Sequence, residues 1–245
     1  MNCPICGGAS QFEYKNDRFT LEKCLDCSHV FVDHIPTLES LSKLYNDKEY
    51  WNINCNHQGI MNFEPGAQWD GYVNSRIGYM ENFGLLNVPG HVLEIGCGEG
   101  MLLYELQKRG WVVLGSDVNA DMKEAETKLG IPILIGPFEE AVFLFRFDLV
   151  CIIHTLEHMA NPSVVVEKIS RILNWNGSLY VEVPTGAEEY DNLDHTQFFE
   201  PGSLAMLLSK YFRHVNVERR SYVNYDKVEC GLLVASASHP RSEET

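Results

Sequence analysis

The chain has 245 residues, of which 19 are Lys or Arg and 34 are Asp or Glu, giving a formal net charge of −15 at pH 7. That length, with 45% hydrophobic residues, holds one full-sized domain and a small appendage. The charge argues against nucleic acid and anionic membrane surfaces as partners, because both are bound through clustered Lys and Arg.

Residues 1–36 form the first predicted unit. Cys3-Pro4-Ile5-Cys6 and Cys24-Leu25-Asp26-Cys27 are separated by 17 residues. Each C-x-x-C turn offers two thiolates to one ion, and two such turns complete a tetrahedral set of four sulfurs. A structural zinc is expected on Cys3, Cys6, Cys24 and Cys27, with iron as the other metal that suits these ligands. Gly7-Gly8 supplies the tight backbone after the first knuckle. The intervening QFEYKNDRFTLEK suits hairpin strands. With four thiolates as ligands, His29 and His34 are expected at the surface. Metal-binding cysteines imply a reducing compartment. MNCPICGG shows neither the basic nor the apolar region of a signal peptide, and no apolar run approaches the roughly 18 residues of a membrane span. A cytoplasmic protein is expected.

Residues 37–88 are polar and aromatic. Leu38, Leu41, Leu44 and Tyr45 fall at helical spacing, and Tyr72, Ile77, Met80 and Phe83 do so more loosely. This stretch reads as a helical linker and lid. Its aromatics Tyr45, Tyr50, Trp51, Trp69 and Tyr72 would either line a pocket or pack on the core.

Residues 89–245 alternate regularly. HVLEIG, WVVLGSD, IPILIG, FDLVCII and GSLYVEVP read as strands, with helices over MLLYELQKRG, ADMKEAETKLG, PSVVVEKISRIL and EPGSLAMLLSKYF. HVNVERRSYV and ECGLLVASAS close the chain as two more strands. Alternation of this kind predicts an α/β fold: a doubly wound, mostly parallel sheet with helices on both faces.

The strongest chemical signal is Val92-Leu93-Glu94-Ile95-Gly96-Cys97-Gly98-Glu99-Gly100, between the first of these strands and its helix. Gly96 and Gly98 let the backbone pass close beneath a ligand at a helix N-terminus. A dinucleotide fingerprint would need glycine at Met101, so that pattern fails. The acid Glu94 repels a pyrophosphate and suits an ammonium group.

In these residues the chain resembles the class I S-adenosylmethionine-dependent methyltransferases, whose first motif is an acid, any residue, then G-x-G-x-G. The resemblance covers about His91 to Ser238 and implies a Rossmann-like fold. It implies Glu94 near the methionine moiety of the donor, with Gly96 and Gly98 beneath it. Asp117, 21 residues after Gly96, would bind both ribose hydroxyls. GPFEEA matches the adenine segment imperfectly: Pro137 stands where an acid is usual, leaving Phe138 and Glu139 as the candidates. Cys97 reads as a small apolar filler.

After the fourth strand, His154-Thr155-Leu156-Glu157-His158 resembles ubiquinone-biosynthetic O-methyltransferases, where two acids and a histidine hold a divalent cation. His154 replaces the first acid, which degrades an all-oxygen site. Glu157-His158 is therefore read as organising the turn, and His154 as a pocket residue at the cofactor. The loop after the fifth strand carries Asp194-His195, read as an acid–base pair beside the acceptor with His195 as base. This segment is similar to methyltransferases acting on sugars and small metabolites. Sugar C-methyltransferases also carry an N-terminal cysteine-knuckle domain, but continue into a further domain.

The expected function is methyl transfer from S-adenosylmethionine to O, N or C of a small polar metabolite, such as a sugar or sugar nucleotide. The partner is that small-molecule acceptor, and the sequence leaves the oligomeric state open. A nicotinamide-dependent oxidoreductase on the same sheet and a non-catalytic donor-binding zinc adaptor are the alternatives.

Overall fold

The computed structural model describes residues 1–34, 36–47, 67–223 and 229–241. Tyr50, Trp51 and Cys55 lie outside these, as do the side chains of Trp69 and Tyr72.

The first strands are β1 (Ser10–Lys15), β2 (Thr20–Cys24) and β3 (Val30–Val32). β1 and β2 form the expected hairpin, with Ser10 opposite Cys24. At its turn the Asn16 side chain accepts from the backbone N–H of Arg18 at 2.9 Å and of Phe19 at 2.6 Å, which fixes the reversal. β3 adds antiparallel to β2.

Helices α1 (Leu38–Tyr45) and α2 (Ala67–Asn82) follow. Val73, Ile77 and Met80 are buried along α2 at spacings of three and four, one apolar stripe of a helix. The alternating part then comprises β4 (His91–Ile95), α3 (Met101–Lys108), β5 (Val112–Asp117), α4 (Glu124–Leu129) and β6 (Ile133–Ile135). It continues through β7 (Phe147–Ile153), α5 (Pro162–Ile172), β8 (Leu173–Pro184), β9 (Gln197–Phe198), α6 (Pro201–Ser209), β10 (Phe212–Val223) and β11 (Glu229–Pro240).

Seven strands take the order β10-β11-β8-β7-β4-β5-β6. β4 runs parallel to β5 and β7, and β5 parallel to β6. β10 and β11 are antiparallel, with Val217 opposite Ala235. A mostly parallel Rossmann-like sheet is thus present, reached through right-sized helical connections. Parallel strands are covered on both faces, and β4 and β7 accordingly bury Val92, Leu93, Ile95, Leu149, Val150 and Ile152.

The expected helix over 120–130 divides into a tighter 3₁₀ turn, Ala120–Lys123, and α4. Asn119 caps the turn by accepting from the N–H of Asp121 at 2.9 Å. The segment ends at Gly130, whose φ of 68° closes the helix as a left-handed cap.

The second sheet has the order β1-β2-β3-β9. Its fourth strand comes from the far end of the sequence. By packing, the chain forms two compact units: Met1–Thr37 with Ile153–Arg171 and Val181–Thr245, and Leu38–Ile152 with Ile172–Tyr180. The divisions expected at residues 36 and 88 follow composition; the packing instead groups the cysteine-rich stretch with later parts of the chain.

Candidate active site

The glycine loop lies between β4 and α3. Gly96, Gly98 and Gly100 have φ of 69°, 49° and 74°, a run that L side chains resist. A Cβ built on Gly98 would meet nothing within 4 Å, so open space adjoins the loop there. Helix α3 has no side-chain cap, which leaves its first N–H groups for a ligand. The N–H of Gly98 donates to Oδ2 of Asp117 at 2.9 Å, and the N–H of Asn119 to Oδ1 at 2.8 Å. Both bonds orient the carboxylate and leave it lone pairs. Burial pushes the Asp117 carboxyl up, against the N–H groups of Asn119, Gly98 and Val118. Glu94 is buried on β4. These four expected residues are brought together by β4 and β5.

Asn46, just beyond α1, was not singled out by sequence. Its amide donates to the carbonyl of Val118 at 2.9 Å and accepts from the N–H of Ala120 at 3.1 Å, pinning the segment after Asp117. Phe138, expected beside adenine, is only 3% exposed, and its ring lies 6.0 Å from that of Phe143. Its side chain belongs to the aromatic core, because that burial leaves little ring face for a base. Cys97 is the filler expected: a Cβ on Gly115 would sit 2.6 Å from its Sγ. Burial, with the charges of Asp117 and Glu94, raises its thiol well above the usual range.

A second cluster surrounds Glu157, in the 3₁₀ turn Leu156–His158. His154 Nδ1 lies 3.7 Å from Oε1 of Glu157, and its Nε2 lies 3.9 Å from Oε2 of Glu182 on β8. Both carboxylates are buried and the imidazole is partly exposed. His154 has φ of 46°, rare for a non-glycine residue, and its N–H is held by the carbonyl of Glu182 at 3.0 Å. His158 donates from Nδ1 to the carbonyl of Asp194 at 3.0 Å and turns Nε2 toward Glu157 at 3.9 Å. Burial works to raise the Glu157 carboxyl, but the imidazoles of His154, His158 and His195 outweigh it and hold the group low.

His195 joins this cluster, with its ring 4.9 Å from that of His158 in an edge-on arrangement. The Asp194–His195 pair is not formed. The Asp194 carboxylate lies 3.6 Å from the Arg18 guanidinium, whereas His195 meets Asn192 at 3.1 Å and Glu189 at 3.5 Å. Asp194 lies in a turn that the N–H of His195 closes onto the carbonyl of Asn192 at 3.4 Å, and the two side chains meet different partners. His195 is 6% exposed, and burial, with the charge of His158, brings its imidazole down to about 3. It is a poor base at neutral pH. Ligand atoms of Glu157, His158 and His195 lie within 4.8 Å of one another, close enough to converge on one ion.

The four N-terminal cysteines converge. Sulfur separations are 3.6 Å for Cys3 and Cys27, 3.3 Å for Cys6 and Cys24, and 3.5 Å for Cys6 and Cys27. Metal–sulfur bonds of about 2.3 Å in a tetrahedron set sulfurs about 3.8 Å apart, so the residues fit such an ion. The N–H of Ile5 points at Cys3 Sγ at 3.4 Å, and that of Asp26 at Cys24 Sγ at 3.4 Å. Gly7 has φ of 77° and donates to the Cys3 carbonyl at 2.9 Å, the turn its position predicts. Burial alone would raise Cys24, but N–H groups of Cys27 and Asp26 and the neighbouring thiols bring it down to about 7. His34 is exposed as expected. His29 is not: it is fully buried between the rings of Phe31 and Phe199, with Nε2 2.9 Å from Oε1 of Gln197. Burial, against the Gln197 bond, brings its imidazole down to about 4.

Residues 75–223 match the family model of a methyltransferase domain. The ubiquinone biosynthesis O-methyltransferase of Coxiella burnetii is 27% identical over 138 residues, covering 46% of this chain and 59% of that protein. The corresponding enzyme of Escherichia coli is 26% identical over 179 residues, covering 58% and 72%. The chain thus spans about three fifths of the length of several curated relatives it matches. Among solved structures, 1,6-didemethyltoxoflavin-N1-methyltransferase of Burkholderia thailandensis, with bound 1,6-didemethyltoxoflavin and S-adenosylhomocysteine, superposes with a TM-score of 0.60. It is 15% identical and the match covers 89% of this chain and 98% of that one. Magnesium protoporphyrin IX methyltransferase of Synechocystis, with bound S-adenosylmethionine, gives 0.57 at 17% identity, covering 81% and 97%. No helix among the described residues is long and apolar enough to cross a membrane.

Proposed function

The chain belongs to the methyltransferase-domain family, and on that premise we propose that it methylates a hydroxyl group of a small polar metabolite, with His154 as the base. It is an S-adenosylmethionine-dependent enzyme, which sets aside the oxidoreductase alternative. Glu94, Gly96, Gly98 and Asp117 would hold the donor. The lone pairs left on Asp117 suit the ribose hydroxyls, and Glu94 suits the ammonium group. When bound, the donor supplies an electrophilic methyl group on a sulfonium.

Methyl transfer from a sulfonium needs alignment and an outlet for the acceptor's proton. The observation that carries the base assignment is His154 set between two buried carboxylates, one near each ring nitrogen. A proton taken up there would sit beside the Glu157 and Glu182 carboxylates. The residue closes β7, and open α/β sheets bind ligands beyond the carboxyl ends of their strands. The left-handed backbone of His154 supports the same reading, since such strain persists where surrounding contacts enforce it.

Relatives named as O-methyltransferases favour an oxygen acceptor. The charge of −15 disfavours polyanions and leaves small metabolites, including sugars and sugar nucleotides. The four cysteines would hold one structural zinc. Incubation with labelled donor and a panel of hydroxylated metabolites tests the reading. Label transfer to a hydroxyl, lost in His154→Ala, is expected; transfer only to macromolecules contradicts it.

A further inference from the structure

We infer that the N-terminal cysteine unit positions the acceptor-side loop, through contacts of the β1–β2 turn and of β3 with residues 190–198. This rests on reading residues 186–198 as that loop. β3 pairs antiparallel with β9, Val30 opposite Phe198 and Phe31 opposite Gln197. The N–H of Val32 donates to the carbonyl of Thr196 at 3.1 Å, just before that ladder.

The hairpin turn adds a second hold. Asn16 donates its amide to the carbonyl of Tyr190 at 2.7 Å, and Arg18 its guanidinium to that of Leu193 at 3.0 Å. The Tyr14 hydroxyl donates to Asp191 at 2.9 Å. Beneath these bonds Phe198 is buried with Leu21, Val30 and Val32, and Tyr190 packs against that cluster. Apolar burial and directional bonds thus select one arrangement of the loop.

The hold extends to the acid–base cluster. The backbone N–H of Thr196 donates to the carbonyl of Glu157 at 2.9 Å. Its hydroxyl reaches the carbonyls of Glu157 at 3.2 Å and Met159 at 3.1 Å. β9 is therefore stitched to the cysteine unit on one side and to the Glu157 turn on the other. Asn16, Arg18 and Thr196 are positioning residues that act through the loop. A two-residue strand cannot hold itself in water, so its order depends on the sheet it joins. Loss of the metal, or oxidation of the cysteines, would release the loop while leaving the donor residues in place.

Hydrogen exchange on the full-length chain tests this, comparing metal-loaded wild type, chelator-treated wild type and Asn16→Ala. Titration with S-adenosylhomocysteine runs beside it. Peptides covering 187–198 and 155–160 should exchange at least tenfold faster after chelation. In Asn16→Ala, which keeps all four cysteines, the 187–198 peptide should exchange about threefold faster. Peptides covering 91–117 and the affinity for S-adenosylhomocysteine should change less than twofold. Unchanged protection of 187–198 when β1–β3 have lost theirs would overturn the inference, as would loosening spread equally over 91–117. Failure of the loaded wild type to bind S-adenosylhomocysteine counts against the donor reading alone; the exchange result still decides the clamp.

Discussion

The side-chain amide of Asn192 donates to Nε2 of His195 across 3.1 Å, because Oδ1 of Asn192 already accepts from the N–H of Asp194 at 3.1 Å. The neutral imidazole therefore carries its proton on Nδ1. A second proton on this buried ring would remove the acceptor that Asn192 uses and place a charge beside His158. Burial is the main cause of its lowered affinity for protons, with the charge of His158 second.

Stability should fall as the solution is acidified. The folded-state value of His195, about 3, lies below the ordinary 6.5, so the unfolded chain takes up a proton first. The stabilisation is complete above pH 6.5 and is lost as pH falls toward 3. At pH 5.5 the loss from this one residue is about 1 kcal/mol. Urea unfolding at pH 7.5, 6.5 and 5.5 measures it. A His195→Gln variant should flatten the slope by that amount; an unchanged slope contradicts the assignment.

His154→Ala should lower turnover on the true acceptor by about 10²- to 10⁴-fold, the range for a lost general base. Affinity for S-adenosylhomocysteine should stay within twofold. His195→Ala should act differently, reducing stability through a polar void beside His158 more than it reduces turnover. A larger turnover loss in His195→Ala than in His154→Ala would return the base to His195.

Purified without chelator, the protein should hold one metal ion per chain bound by Cys3, Cys6, Cys24 and Cys27. Elemental analysis identifies it as zinc or iron, and X-ray absorption should find four sulfurs at about 2.3 Å. Cys24→Ser should lower the metal content and the melting temperature together. Metal-free protein with the same melting temperature contradicts a structural role.

The alternation from His91 onward was legible because strand and helix periods are local properties, as were the knuckle glycines and the acid two residues before Gly96. What escaped depends on partners distant in sequence. Gln197-Phe198 is too short to show alternation, and its strand partner lies in the cysteine unit. His29 reads as a surface residue until Gln197, 168 positions away, covers it. Glu182 in YVEVP looks like the outward member of an alternating strand, yet both faces of β8 are covered there and the carboxylate is buried. The Asp194–His195 pair failed because the turn at 192–195 gives the two side chains different partners, Arg18 for Asp194 and Asn192 with Glu189 for His195.

The bond from Gly98 to Asp117 joins the glycine loop to the acid proposed for the ribose, and calorimetric titration with S-adenosylhomocysteine probes both at once. Wild type should bind one equivalent per chain. Asp117→Ala removes the acceptor of the Gly98 and Asn119 N–H groups and the one proposed for the ribose hydroxyls. It should weaken binding by about 1–3 kcal/mol, roughly 5- to 150-fold. No binding by folded wild type, or equal affinity in the two proteins, would contradict a donor site built on these residues.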